Sequence, residues 1–213
     1  MNDGGYIQYG CGWHAPVGWR NFDASPTLRF ERLPLLGSLY TKNENRFPKN
    51  VAYGDVVKGL PVVPASCRAV YCSHVLEHLT LADCRVALRN THTILQAGGI
   101  FRLVLPDLAY SVQQYLANAT NASPDAAPEF MRETGLGQES RTRGLKGLVV
   151  SWLGNSQHYW MWDYPALARE LDSAGFVAIR RATYHDSADA RFCEVETEER
   201  WSHALGIECR KPE

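Results

Sequence analysis

Only six residues, 13 to 18, separate a Gly10-Cys11-Gly12 turn from a second apolar run, Trp19–Asp23. The first run, Tyr6–Tyr9, ends at that same turn. A crossover between parallel strands takes at least ~10–12 residues when it includes a helix. Six extended residues reach roughly 20 Å at ~3.3 Å each, enough to return beside a short strand. His14, Pro16 and Gly18 in that interval are poor helix formers. The spacing therefore predicts two neighbouring strands joined by a bare loop.

Further along, strand-like and helical runs alternate, which predicts an α/β fold with a largely parallel sheet. Val51–Tyr53, Arg68–Cys72 and Ile100–Leu105 read as strands. Thr80 and Asp83 have capping-box spacing. Leu81, Cys84, Leu88, Thr91 and Leu95 then recur at three- and four-residue steps, predicting a helix that stops at Gly98-Gly99. Asp107 is placed to cap a helix carrying Leu108, Val112 and Tyr115 on one side, and Asp163 to cap Tyr164–Ala174. Phe176–Thr183 and Ala204–Arg210 make a final pair of strands. One short helix is expected over Leu33–Tyr40. From about residue 118 to 157 the pattern breaks down, around a basic cluster of Arg141, Arg143 and Lys146. That stretch reads as an insertion or lid within a single domain spanning 1–213.

Composition narrows the partners. A net charge of −1 supplies no overall field to attract nucleic acid or an anionic membrane, and no apolar run approaches ~20 residues. Neither partner is expected. Six cysteines without a CxxC pair, and no charged-apolar-small leader pattern, predict reduced thiols in the cytoplasm. No HxxxH or Cys/His spacing argues for a metal.

Three polar positions fall at the ends of successive strands: Asp23, Asp55 and Ser73-His74. In an open parallel sheet the ligand lies outside those ends, where strand order reverses. Glycines at 10 and 12 let the backbone approach a ligand. Asp23 suits ribose hydroxyls and Asp55 the amino group of an adenine. No lysine follows the turn as in a P-loop, and GxGxxG fails because position 15 is Ala. The pattern fits a nucleoside better than a chain of phosphates.

The ordered set GCG…NFDAS, YGDVVKGLP, AVYCSHVLEHL, ILQAGGIFRLVLPDL and HYWMWD…LARELDSAGF resembles the class I S-adenosylmethionine-dependent methyltransferases, over about residues 6–185. It is most similar to a small branch with a shortened first crossover and a His-x-Trp-Met-x-Asp stretch. The resemblance implies a Rossmann-like, seven-stranded, mostly parallel sheet with helices on both faces. It also implies S-adenosylmethionine bound along Tyr9, Gly10, Cys11, Gly12, Asp23, Ala24, Asp55, Val56, Ser73 and His74. Tyr9 stands where that family usually has an acid at the end of strand one. The acceptor implied is a small molecule such as a sugar or other metabolite.

Among candidate bases, His74 and His158 rank first, with His78, Asp163, His14 and Asp107 behind. Asp163 and Asp107 read as helix caps, and Trp160, Met161 and Trp162 as core. Two rival readings stay open: a nicotinamide-dependent oxidoreductase, and a cofactor-binding domain without catalysis.

Overall fold

The computed structural model describes residues 5–33, 46–139 and 157–213. Its strands are β1 (Tyr6–Tyr9), β2 (Arg20–Asp23), β3 (Val51–Tyr53), β4 (Cys67–Ser73), β5 (Leu95–Pro106), β6 (Val177–Ala182) and β7 (Ala204–Arg210). The helices among the described residues are α1 (Pro26–Glu31), α2 (Leu81–Ile94), α3 (Leu108–Thr120), α4 (Ala126–Glu133), α5 (Tyr164–Ser173) and α6 (Glu198–Trp201). Single 3₁₀ turns occupy Leu76–His78 and Ala190–Glu194.

All seven strands form one sheet in the order β3-β2-β1-β4-β5-β7-β6. The first five are parallel, while β7 runs antiparallel to both β5 and β6. Strand order reverses at β1, which pairs with β2 on one side and β4 on the other. The link from β1 to β2 contains no helix, as its length dictates.

Two cores flank the sheet. On one face Ile7, Val70, Phe101 and Leu103 pack against Cys84 and Leu88 of α2 and Leu167 and Leu171 of α5, all essentially buried. This is the stripe expected from the helix spacing. On the other face Tyr6, Trp19, Tyr71 and Val104 meet Phe192 and Trp201 from the second 3₁₀ turn and α6. Arg102 points into this second core from the middle of β5 and is fully buried. It donates to Glu196, to Asp186 at 2.8 Å, to Glu208 at 3.1 Å and to the Thr183 carbonyl at 2.7 Å. A buried charge is tolerated only when paired in this way. Trp201 closes the core, its indole donating to the Tyr71 hydroxyl at 3.1 Å.

Several local expectations need correction. The segment after β2 forms α1, because the Ser25 side chain accepts from the Thr27 amide and Pro26 supplies a preset first-turn φ. The helix expected over Leu33–Tyr40 lies outside the described residues from 34 on, as does the basic cluster at 141–146. Helix α2 ends at Ile94 rather than at the glycine pair. Leu95 is already extended and pairs with Cys67, so Gly98 and Gly99 form an irregularity inside the strand edge, with register resuming at Ile100. On α3 the side carrying Leu108, Val112 and Tyr115 is only partly covered: Val112 is 37% exposed and the other two are half-buried. The two helix-cap acids behave more simply. Asp107 accepts from the Ala109 amide and Asp163 from the Ala166 amide.

Candidate functional site

A cavity of about 550 Å³ opens at the carboxyl ends of β1, β2 and β4. That is within the ~300–1,000 Å³ typical of small-molecule sites. A larger depression, about 630 Å³, lies against Val17–Phe22 and Arg191 at the entry to β2. It collects no strand-end carboxylate.

One wall is the loop after β1. Gly10 has φ +71°, and a Cβ there would sit 2.1 Å from Val75 Cγ2. Gly12 also has positive φ, at +53°. Such backbone is strained for any residue with a side chain. The loop is tied to β2 through Asp23. One carboxylate oxygen accepts from the Gly12 amide at 3.0 Å and the other from the Ser25 amide at 2.7 Å. Burial raises the Asp23 pKa; the two amides and the Arg200 guanidinium offset part of that rise. Each oxygen keeps a further lone pair for a ligand donor.

Asp55 lines the cavity after β3. Its carboxylate accepts from the Val57 amide at 3.0 Å and pairs with Lys58 at 3.0 Å. Ala24 and Val56 join the lining, and so does Tyr9. The Tyr9 hydroxyl is spent elsewhere, 3.1 Å from Thr91 Oγ1 beneath the sheet. Two of the expected cofactor contacts are not among the residues lining the cavity. Cys11 packs its thiol among Leu28, Phe47 and Val51, and burial pushes it up to about 12. Ser73 is buried and outside the lining; its hydroxyl and carbonyl accept from Arg200 at 3.2 and 3.3 Å.

Among the candidate bases, His74 lines the cavity in a left-handed backbone conformation, φ +52°. Its Nε2 donates to the Arg200 carbonyl at 2.9 Å, while Nδ1 stands 3.3 Å from Glu77 Oε1 with no hydrogen bond between them. His158 is not among the residues lining the cavity. Its ring stands 4.8 Å from that of His78, which does line it, and burial lowers its pKa. His14 bonds the Glu194 carbonyl at 2.8 Å on the surface. Trp162 is core, whereas Trp160 is 42% exposed.

The sequence gives no sign of Arg200, the cation of the site. It belongs to the one-turn helix α6, which the second core locks in place through Trp201. Trp13 and Phe47, stacked at 5.5 Å, were also missed as part of the rim.

No protein-family model matches the sequence, and no curated protein matches it significantly. Solved structures do match. One is an S-adenosylmethionine-dependent methyltransferase from Thermotoga maritima, described as a possible histamine N-methyltransferase. It superimposes with a TM-score of 0.50 at 14% identity, over 96% of this chain and 80% of that one. The fold is that of the class I S-adenosylmethionine-dependent methyltransferases. A similar protein from Archaeoglobus fulgidus gives a TM-score of 0.49 at 12% identity, over 97% and 85% of the two chains. A putative methyltransferase from Haloferax volcanii, in complex with its activator Trm112, gives 0.49 at 15%, over 98% and 82%. Other matches are longer proteins, of which this chain spans about half, 49% for PigF with its bound S-adenosylhomocysteine. In the methyltransferase fold seen here, the switch point of the sheet is the place where Gly10, Asp23 and His74 converge.

Proposed function

We propose that this chain binds S-adenosylmethionine at the strand-end cavity and transfers its methyl group to a small-molecule acceptor, a sugar or other metabolite hydroxyl. One observation carries the reading. Asp23 is anchored to the Gly12 amide, beside Asp55, at the reversal of strand order in a methyltransferase-like sheet. Asp23 takes the ribose hydroxyls and Asp55 the adenine side. Tyr9 cannot offer the carboxylate usual at the end of strand one. Arg200, beside Gly12 and Ser73, offers the opposite charge and suits the methionine carboxylate.

When bound, S-adenosylmethionine would supply an activated methyl carbon; the acceptor oxygen would attack it in line as the carbon–sulfur pair passes to sulfur, and the hydroxyl proton would pass to water. Alignment alone supplies ~7–11 kcal/mol of such a barrier. The oxidoreductase reading loses ground, since the loop between β1 and β2 has no helix N-terminus to hold a pyrophosphate. A binding domain without catalysis is favoured by one fact: His74 Nε2 is committed to the Arg200 carbonyl.

Calorimetric titration with S-adenosylhomocysteine, alongside NADH, tests the reading. Binding of the first and not the second is expected. Absence of binding at millimolar S-adenosylhomocysteine would end it. Transfer of labelled methyl to any member of a sugar and metabolite panel would remove the binding-only alternative.

A further inference from the structure

Glu77 is the least comfortable side chain near the cavity. It stands in the 3₁₀ turn Leu76–His78 with its side chain 1% exposed, and neither carboxylate oxygen has a hydrogen-bond partner among the described residues. An ionised carboxylate buried without donors is strongly unfavourable, so a compensating charge is called for. Three histidines surround it. His74 Nδ1 lies 3.3 Å from Oε1 and His78 Nε2 lies 4.0 Å from the same oxygen. One ligand atom each from Glu77, His78 and His158 lies within 4.8 Å of the other two.

The tautomers are set by backbone carbonyls, which only accept. His158 Nδ1 is 2.7 Å from the Thr134 carbonyl, so that nitrogen carries the proton. His78 Nδ1 is 3.0 Å from the Gln157 carbonyl, and the same follows. In a neutral imidazole the other nitrogen then presents a lone pair. Both Nε2 lone pairs are thereby left for the space beside a carboxylate that also has only lone pairs to offer. Acceptors converging on acceptors repel unless a cation lies between them. Outer carbonyls that fix a histidine tautomer are themselves a regular feature of metal sites.

The frame is braced from both sides. The Tyr159 and Trp160 amides donate to the Glu77 carbonyl at 2.8 and 3.2 Å, holding the His158 segment against the turn. Gly135, at φ +64°, leaves room for the imidazole; a Cβ there would meet His158 Nδ1 at 2.7 Å.

We propose that Glu77, His78 and His158 form a binding site for a divalent transition-metal ion of the zinc class, with a fourth position left for water or substrate. Two histidines and a glutamate are a ligand set of catalytic zinc. Bonds of ~2.0–2.2 Å in tetrahedral geometry bring ligand atoms to ~3.4 Å apart, so the side chains close by about 1 Å on binding. Because His78 also lines the strand-end cavity, the ion stands at its edge. There it would lower the pKa of an acceptor hydroxyl that reaches it. This catalytic role rests on the methyltransferase reading; the binding does not.

The test uses untagged full-length protein, stripped with chelator and titrated with zinc by calorimetry and with cobalt by visible absorption. One equivalent is expected, with tetrahedral cobalt bands. His158→Ala and Glu77→Gln should each weaken binding at least about 10-fold. Cys193→Ser and His14→Ala, which alter exposed groups, should leave it unchanged. Should Glu77→Gln fail to fold by circular dichroism, His158→Ala and His78→Ala carry the comparison. Wild-type protein that binds neither ion at micromolar concentration overturns the proposal. So does affinity unaltered in both histidine variants. S-adenosylhomocysteine titration of the same samples keeps the two proposals apart: cofactor binding without metal binding refutes this one alone.

Discussion

Removing the Asp23 carboxylate separates two jobs that the structure assigns to one side chain. In Asp23→Ala, the Gly12 and Ser25 amides lose their acceptor, at 3.0 and 2.7 Å respectively, and the loop after β1 loses its tie to β2. Hydrogen bonds to a charged acceptor contribute ~1.5–3 kcal/mol, and these amides regain water at the cavity edge, so a net stability loss of about 1–3 kcal/mol is expected. The remaining lone pairs are those available to ribose hydroxyls. Losing that charge-assisted pair costs about 1.5–3 kcal/mol of binding, or roughly 10- to 150-fold in Kd. Urea denaturation reads the first quantity. Calorimetric titration with S-adenosylhomocysteine, well below the unfolding transition, reads the second. A variant that is destabilised yet binds within about threefold of wild type would refute the ribose role and leave Asp23 a loop anchor only.

Four further outcomes follow from the same geometry. Arg200→Met should weaken S-adenosylhomocysteine binding about 10-fold or more in calorimetry, with little effect on adenosine, which lacks the carboxylate. Gly10→Ala should lose about 2–4 kcal/mol in denaturant titration from its φ of +71° and the 2.1 Å approach to Val75, and Val75→Ala should restore only the steric part. Arg102→Met leaves Glu196 buried without its cation, while Glu208 keeps Arg180 at 2.7 Å, and should cost about 3–5 kcal/mol by the same measurement. Asp186 is partly buried, which by itself would raise its pKa, but Arg180, the Thr183 amide and Arg102 hold it well below the usual carboxylate range. A depressed carboxylate pKa stabilises the fold above the unfolded value, near pH ~4, and that contribution is lost as pH falls further. The stability gap between wild type and Asp186→Asn should therefore be full at neutral pH and shrink below about pH 4 in pH-dependent melting.

Much of the architecture was legible because it is written in short intervals. A six-residue gap cannot hold a crossover helix, and the loop between β1 and β2 has none. Thr80, Asp107 and Asp163 cap the helices that follow them, since a cap needs only a side chain two or three residues from an amide. Helix α1 was legible too, in Ser25-Pro26, but six residues leave no periodicity to find. The end of α2 misled because a glycine pair serves a strand irregularity as well as a helix stop.

The amino-acid sequence by itself determined the alternation of strands and helices, the bare first crossover, and the strand-end positions of Asp23 and Asp55. Tertiary structure alone decided which groups meet there. Arg200 reaches Ser73 across 127 positions of chain because β7 returns antiparallel beside β5 and Trp201 fills the second core. His78 meets Gln157 across 79 positions, drawing His158 to Glu77, because the Tyr159 and Trp160 amides dock on the turn after β4. Local spacing fixes what a segment becomes, since its hydrogen bonds close within a few residues. Packing of the sheet fixes which side chains from distant segments share one space, and no interval in the sequence records it.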